Sequence, residues 1–191
     1  AGTRYKLGDY EPYLYHTTDY GKTWTKITDG IADDHFTRVV RADPKRKGLL
    51  YAGTETGMYI SFNDEKKWEP FQLNLPIVPI TDLTIKENNL IVATQGRSLW
   101  IIDDLTVLHQ LDENTSKEEV HLYRPKDSYR TKGSGGRTSL TAGANHPDGV
   151  LTHFYVPEAA VEDTLHLLYT TTTGDTLAHF SNYPSEGINK L

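Results

Sequence analysis

The run Asp33-Asp34-His35 is the densest cluster of side chains in the sequence that could do chemistry. Carboxylate and imidazole groups can coordinate a cation together, and they can also hydrogen-bond the hydroxyl groups of a sugar. The same residues are equally typical of a solvated loop that binds nothing. We treat the three residues as a candidate ligand-binding site, with both interpretations open.

Three further polar residues lie in short segments that are predicted to form turns: Glu55, Gln95 and Arg97. A glycosidase commonly needs two carboxylates flanking the bond it cleaves, so Glu55 alone does not predict hydrolysis. Arg97 follows Gly96, and its guanidinium could bind a ligand carboxylate or form an ion pair between neighbouring repeats. These residues are therefore binding candidates, and no catalytic residue is assigned.

The sequence predicts neither a metal site nor a cofactor. It contains no cysteine, which excludes thiolate ligands and disulfides. Six of the histidines show no paired spacing typical of metal ligands: His109, His121, His146, His153, His166 and His179. The glycine-rich run 133–136 is not followed by the strand-to-helix pattern of a phosphate-binding loop, and it favours a flexible linker.

Charge and hydropathy exclude two classes of partner. The formal net charge is −6 over 191 residues, whereas nucleic-acid and anionic-membrane binding need a basic surface. No apolar run approaches the roughly 20 residues that span a bilayer. The abundance of tyrosine and threonine favours β-sheet. We expect a globular, β-rich chain that binds neither nucleic acid nor membrane.

The elements that must position these residues repeat along the chain. Segment 49–61 is echoed by segment 90–102, 41 residues later, and Trp24 is echoed by Trp68, 44 residues later. Repeats of about 40–45 residues, each with four short strands, are the signature of propeller blades. No helix is predicted. The expected strands are 13–17, 23–28, 36–41, 49–53, 58–62, 68–73, 81–85, 90–94, 98–102, a weaker 106–111, 121–123, 150–156, 164–170 and 177–180.

A turn motif recurs in the two tryptophan repeats. Segment 17–24 matches the pattern Ser/Thr-x-Asp-x-Gly-x-Thr-Trp, in which the aspartate bonds backbone N–H groups and the glycine supplies positive φ. Segment 61–68 is a degenerate copy, in which Asn63 and Glu65 replace the aspartate and glycine. We expect Trp24 to be mostly buried against its own strands. The residues assigned a structural role are Thr17, Asp19, Gly21, Thr23, Trp24, Ser61 and Trp68.

Residues 13–111 resemble the C-terminal blades of bacterial Asp-box (BNR-repeat) proteins, which are usually labelled glycosyl hydrolases. The resemblance rests on this motif and on segments 50–57, 74–76 and 96–105. These proteins are relatives of sialidase and sortilin/VPS10 propellers. The resemblance implies an all-β chain with a partial β-propeller of about two and a half blades over 1–111. It also implies a connecting segment and Gly/Ser-rich linker over 112–149. The start of an immunoglobulin-like, sandwich-type domain would follow over 150–191.

The resemblance also implies a function. It predicts the binding or scaffold portion of an exported, extracytoplasmic protein that engages glycans or polypeptides and is completed by further blades of a longer protein or of another chain. The alternative is a sialidase-like glycoside hydrolase whose catalytic residues lie mainly in blades absent from this sequence. Propeller geometry places Asp33, Asp34, His35, Glu55, Gln95 and Arg97 on one face and the Asp-box turns on the other.

Overall fold

A computed structural model describes residues 2–64, 66–111, 119–128 and 149–191. It is all-β and consists of several small antiparallel sheets, which confirms the all-β part of the predicted fold. The chain divides into two compact units, unit 1 (Ala1–Leu105) and unit 2 (Thr106–Leu191). The described sheets do not close into a ring. The linker expected over 131–149 lies, apart from Gly149, outside the described residues.

Unit 1 is built from strands that pair with their neighbours in sequence. Two two-stranded sheets, β1–β2 and β3–β4, precede a four-stranded sheet in the order β5–β6–β7–β8 and a three-stranded sheet in the order β9–β10–β11. The strands are β1 (Gly2–Arg4), β2 (Asp9–Tyr13), β3 (Tyr15–His16), β4 (Thr25–Lys26), β5 (Thr37–Ala42), β6 (Leu50–Thr54), β7 (Met58–Ser61), β8 (Glu69–Pro70), β9 (Ile80–Lys86), β10 (Asn89–Thr94) and β11 (Leu99–Ile102).

The two larger sheets pack closely where β6 meets β9. A Cβ atom on Gly53 would lie only 2.6 Å from Cγ2 of Ile80 and 2.8 Å from Cγ1 of Val39. Only glycine therefore fits this contact without movement of the neighbouring sheet. Strand β6 lies between β5 and β7, and it is buried along almost its whole length.

Trp68 links the four-stranded sheet to the segment that follows β4. Its indole N–H donates to the carbonyl of Ile27 at 2.7 Å, and its backbone N–H donates to the carbonyl of Asp29 at 2.8 Å. The side chain is only 1% exposed. It belongs to a core cluster whose buried members are Leu14, Ile31, Ala52, Tyr59 and Trp68.

The two turn motifs share one hydrogen-bonding scheme. Asp19 Oδ1 accepts from the Thr17 hydroxyl at 2.8 Å and from the Thr23 backbone N–H at 2.9 Å. Asn63 Oδ1 accepts from the Ser61 hydroxyl at 3.2 Å and from the Lys67 N–H at 3.1 Å. The amide oxygen of an asparagine can therefore replace the carboxylate, because the turn needs only an acceptor at this position.

The expectation that Trp24 is buried is wrong. Its side chain is 60% exposed and lies over its own turn, where the indole N–H donates to the carbonyl of Gly21 at 3.1 Å. Trp68 is buried because the segment after β4 covers it, whereas no described segment covers Trp24 in the same way. The burial of this tryptophan thus depends on what lies opposite the turn.

Several element boundaries also differ from the sequence prediction. Residues 106–111 do not form a strand; a short helix α1 (Thr106–Gln110) begins there. The Gln110 amide donates to the carbonyl of Arg124 at 2.9 Å and accepts from the Arg124 N–H at 2.9 Å, so a contact from another segment holds the end of this helix. The hairpin β1–β2 was not predicted, and β8 is much shorter than 68–73.

Unit 2 contains two small sheets, in the orders β12–β13–β16 and β14–β15. Their strands are β12 (His121–Leu122), β13 (His153–Val156), β14 (Leu165–Thr170), β15 (Thr176–Asn182) and β16 (Gly187–Lys190). A cavity of about 160 Å³ is lined by apolar side chains of both sheets, including Leu122, Phe154, Leu167 and Phe180. The hydroxyl groups of Thr152 and Tyr169 are hydrogen-bonded to each other. No helix among the described residues is long and apolar enough to cross a membrane.

Candidate binding site

The register of β5 and β6 builds a mixed polar and aromatic cluster at one end of the four-stranded sheet. Thr37 pairs with Thr54, and the N–H of Glu55 donates to the carbonyl of Phe36 at 3.1 Å. This pairing brings the side chain of Arg38 beside that of Glu55. We call the set formed by Tyr5, Tyr10, Phe36, Arg38 and Glu55 the Arg38 cluster.

An ion pair forms the polar half of the Arg38 cluster. Nε and Nη2 of Arg38 lie 2.6 Å and 2.5 Å from the same oxygen of Glu55, Oε2. The two side chains are 22% and 35% exposed, so the pair is partly shielded from water. Charge-assisted hydrogen bonds of this length fix the orientation of both groups. The Glu55 carboxylate is therefore held by Arg38 and stays partly accessible to solvent.

Aromatic rings form the other half of the cluster. Tyr5 and Phe36 are stacked with their ring centroids 4.9 Å apart, and the guanidinium carbon of Arg38 lies 5.1 Å from the centroid of Phe36. The ring of Tyr10 is tilted against Phe36 at 6.2 Å. Phe36 is 2% exposed, whereas Tyr10 is 53% exposed. A buried ring thus supports an exposed ring next to a charged pair.

The candidates Asp33, Asp34 and His35 lie in the segment that leads directly into the cluster. Nδ1 of His35 is 2.7 Å from the hydroxyl of Tyr59, which fixes the imidazole against the core. Nε2 of His35 lies 3.8 Å from Oδ1 of Asp34, whose side chain is 84% exposed. Because His35 precedes Phe36, the structure brings these residues and Glu55 to the same end of β5 and β6.

The candidates Gln95 and Arg97 lie elsewhere in unit 1, in the turn between β10 and β11. The N–H of Gln95 donates to the carbonyl of Pro79 at 2.9 Å, and the carbonyl of Arg97 accepts from the Trp100 indole at 2.9 Å. Both side chains are exposed. These contacts stay within the segment that forms the β9–β11 sheet, and they do not join the two residues to the Arg38 cluster.

Sequence reasoning missed five residues that shape the site: Tyr5, Tyr10, Phe36, Arg38 and Tyr59. Arg38 lies in a strand that was predicted, and Glu55 lies in the turn after its partner strand. Pairing the two predicted strands across their connecting turn would have placed the arginine and the glutamate side by side. The two N-terminal tyrosines carried no such signal, because the hairpin that presents them was not predicted.

Two side chains of unit 1 with shifted pKa values, Asp19 and Tyr51, have structural roles. The Thr23 N–H, the Thr23 hydroxyl and the Thr17 hydroxyl together lower the pKa of Asp19 to about 2. Burial, reinforced by the neighbouring Asp43 carboxylate, raises the pKa of the Tyr51 hydroxyl. Asp19 has its oxygens occupied by its own turn, and Tyr51 is fully buried, so neither can act on an external ligand.

The Arg38 cluster therefore combines a preformed ion pair with an exposed aromatic ring, and the polar side chains around His35 lie next to it. This combination suits recognition of a ligand that has both an apolar face and hydrogen-bonding groups.

No protein-family model matches the sequence, and no curated protein is significantly similar to it.

Proposed function

We propose that unit 1 is the binding portion of an Asp-box β-propeller protein and that it engages glycans or polypeptides through the Arg38 cluster. The observation that carries this proposal is the exposed ring of Tyr10, supported by buried Phe36 and adjoining the Arg38–Glu55 pair. Such a site presents an aromatic face and oriented charged groups without any rearrangement of its own.

The propeller part of the proposal is supported by how consecutive sheets meet. Trp68 of the second turn motif is bonded to Ile27 of the preceding segment, and Gly53 of β6 faces Ile80 of β9. Arg41 of β5 and Asp82 of β9 form an ion pair at 2.7 Å. Contacts that recur between successive sheets are the arrangement expected of neighbouring blades. About two and a half blades would occupy residues 1–111.

The ligand class follows from the chemistry of the cluster. The flat face of a tyrosine ring packs against the C–H face of a sugar ring or against an apolar side chain. The guanidinium and carboxylate provide a donor and an acceptor of fixed direction for hydroxyl, amide or carboxylate groups. Both glycans and extended polypeptides present these features together.

The rest of the proposal concerns the protein of which this chain is a part. Further blades of a longer protein, or another chain, would complete the ring, because closure is what leaves propellers with only short, protected edges. The two small sheets of unit 2, which face a common apolar cavity, are consistent with the start of an immunoglobulin-like domain. By its resemblance to exported Asp-box proteins, the chain would act outside the cytoplasm.

Hydrolysis is disfavoured as the function of this site. Glu55 is paired with Arg38, whereas a glycosidase commonly needs two carboxylates that flank the scissile bond. The Arg38 cluster therefore supports binding, and the hydrolase alternative would need groups supplied by other blades.

A binding screen against immobilised neutral glycans, acidic glycans and peptides tests the proposal. We expect saturable binding to at least one class, with affinity reduced about tenfold or more by Arg38→Ala, because oriented charged contacts contribute strongly to recognition. Arg97→Ala, which alters an exposed arginine outside the cluster, is the matched control and should bind normally. Absence of binding to all three classes, or equal loss in both variants, would reject the site.

A further inference from the structure

The strand pair β14–β15 brings two histidines together that the sequence keeps 13 residues apart. Nδ1 of His166 lies 3.0 Å from Nε2 of His179, and their ring centroids are 5.2 Å apart. In the strand register, His166 is opposite Ser181 and His179 is opposite Leu168, so the two imidazoles are diagonal neighbours on one face of the sheet. Both side chains are exposed.

We propose that His166 and His179 form a binding site for a divalent transition-metal ion of the copper(II) class. Two imidazole nitrogens bound to one metal at about 2.0–2.1 Å and separated by 3.0 Å subtend an angle of about 95° at the metal. This angle is that of neighbouring positions in a square-planar or tetragonal site, which Cu²⁺ and Ni²⁺ prefer. Tetrahedral Zn²⁺ would require the nitrogens to separate further.

The strand pair holds the backbones of the two histidines side by side before any metal binds. The turn that joins β14 to β15 is closed by the Asp175 N–H donating to the Thr171 hydroxyl at 3.0 Å and by the Thr173 hydroxyl donating to the Asp175 carboxylate at 2.9 Å. Six residue pairs fix the register beyond the turn. A metal that binds both imidazoles therefore does not have to bring together two residues that lie 13 positions apart in the chain.

The remaining coordination positions would be filled by water or by a donor of another molecule. The Ser181 hydroxyl lies 3.1 Å from Nδ1 of His166 and can hydrogen-bond a coordinated water. The described residues contain no group of three or more histidine or acidic side chains that could hold a metal, so this is a two-histidine site with open positions.

Titration of the tag-free chain with Cu²⁺, followed by calorimetry and electron paramagnetic resonance, tests the site. We expect one site whose spectrum shows two coordinated nitrogens, and an affinity reduced about tenfold or more in His166→Gln and in His179→Gln, because the second ligand binds intramolecularly. The double variant, which keeps neither ligand, should bind Cu²⁺ no more tightly than either single variant. Zn²⁺ should bind more weakly than Cu²⁺, in the order general for nitrogen ligands.

His121→Gln is the matched control, because His121 lies in the same unit and its ring contacts Tyr123. This variant should bind Cu²⁺ as the unaltered chain does. Circular dichroism should show that all variants remain folded, since His166 and His179 are exposed and His121 is only half-buried. The proposal is overturned if the double variant binds Cu²⁺ with unchanged affinity, if the spectrum shows a single nitrogen, or if His121→Gln causes the same loss.

Discussion

The indole of Trp68 donates a hydrogen bond to the backbone carbonyl of Ile27, 2.7 Å away and 41 residues earlier in the chain. The equivalent tryptophan of the first turn motif, Trp24, donates instead to Gly21 within its own turn. Two copies of one motif therefore contribute differently to the structure. One joins two segments of unit 1, and the other closes a turn at the surface.

Trp68→Ala should destabilise unit 1 far more than Trp24→Ala. Removing a fully buried tryptophan leaves a cavity and an unpaired carbonyl at Ile27, at a cost of about 3–5 kcal/mol. Removing the exposed Trp24 should cost about 1 kcal/mol or less. Urea unfolding of the three proteins measures both values. Equal losses in the two variants would contradict the assignment of Trp68 as the link.

The close contact between Gly30 and the backbone of Trp68 can be tested with glycine substitutions. Gly30 and Gly96 both adopt positive φ, but a Cβ atom on Gly30 would lie 2.1 Å from the carbonyl oxygen of Trp68, whereas one on Gly96 would meet nothing within 4 Å. Both alanine variants carry similar backbone strain. We expect Gly30→Ala to be less stable than Gly96→Ala by about 1–3 kcal/mol, the usual cost of overpacking. Similar midpoints in thermal unfolding would argue against this contact.

The first turn motif should make stability depend on acid pH through Asp19. Its pKa is lowered to about 2 in the folded chain, below the value of about 3.9 for an unfolded aspartate. The resulting stabilisation is present above about pH 4 and is lost as pH falls towards 2. Asp19→Asn should therefore flatten the acid limb of a stability–pH curve measured by urea unfolding.

Asn63→Asp provides the converse variant, because Asn63 accepts the corresponding hydrogen bonds without carrying a charge. This change should add an acid-dependent component to the same curve. An unaltered acid limb in Asp19→Asn would show that the turn does not stabilise the ionised carboxylate.

The strand positions in unit 1 were largely predictable, because runs such as 49–53 and 58–62 combine β-branched and aromatic residues with clear turn signals. The exposure of Trp24 was not predictable, since the tryptophan is exposed in the first copy of the motif and buried in its degenerate copy. Helix α1 escaped prediction because its C-terminal residue, Gln110, is held by the backbone of Arg124, a contact between distant segments.

The candidate site shows the same division between local and long-range information. Six residues were recognised by type and expected to share one face: Asp33, Asp34, His35, Glu55, Gln95 and Arg97. The first four lie at the same end of β5 and β6. Tyr10 was not found, because its position depends on how the N-terminal hairpin meets Phe36. The proximity of His166 and His179 likewise follows from the register of β14 with β15, which spacing along the chain does not reveal.

The central claim, that the Arg38 cluster binds a ligand, is tested most directly by two tyrosine variants. Tyr10 is 53% exposed within the cluster, and Tyr20 is fully exposed in the first turn motif. For a glycan or peptide identified by the screen, calorimetric titration should show affinity reduced about tenfold or more by Tyr10→Ala and unchanged by Tyr20→Ala, because an aromatic anchor concentrates binding energy. Unchanged affinity in Tyr10→Ala, or equal losses in both variants, would contradict the claim.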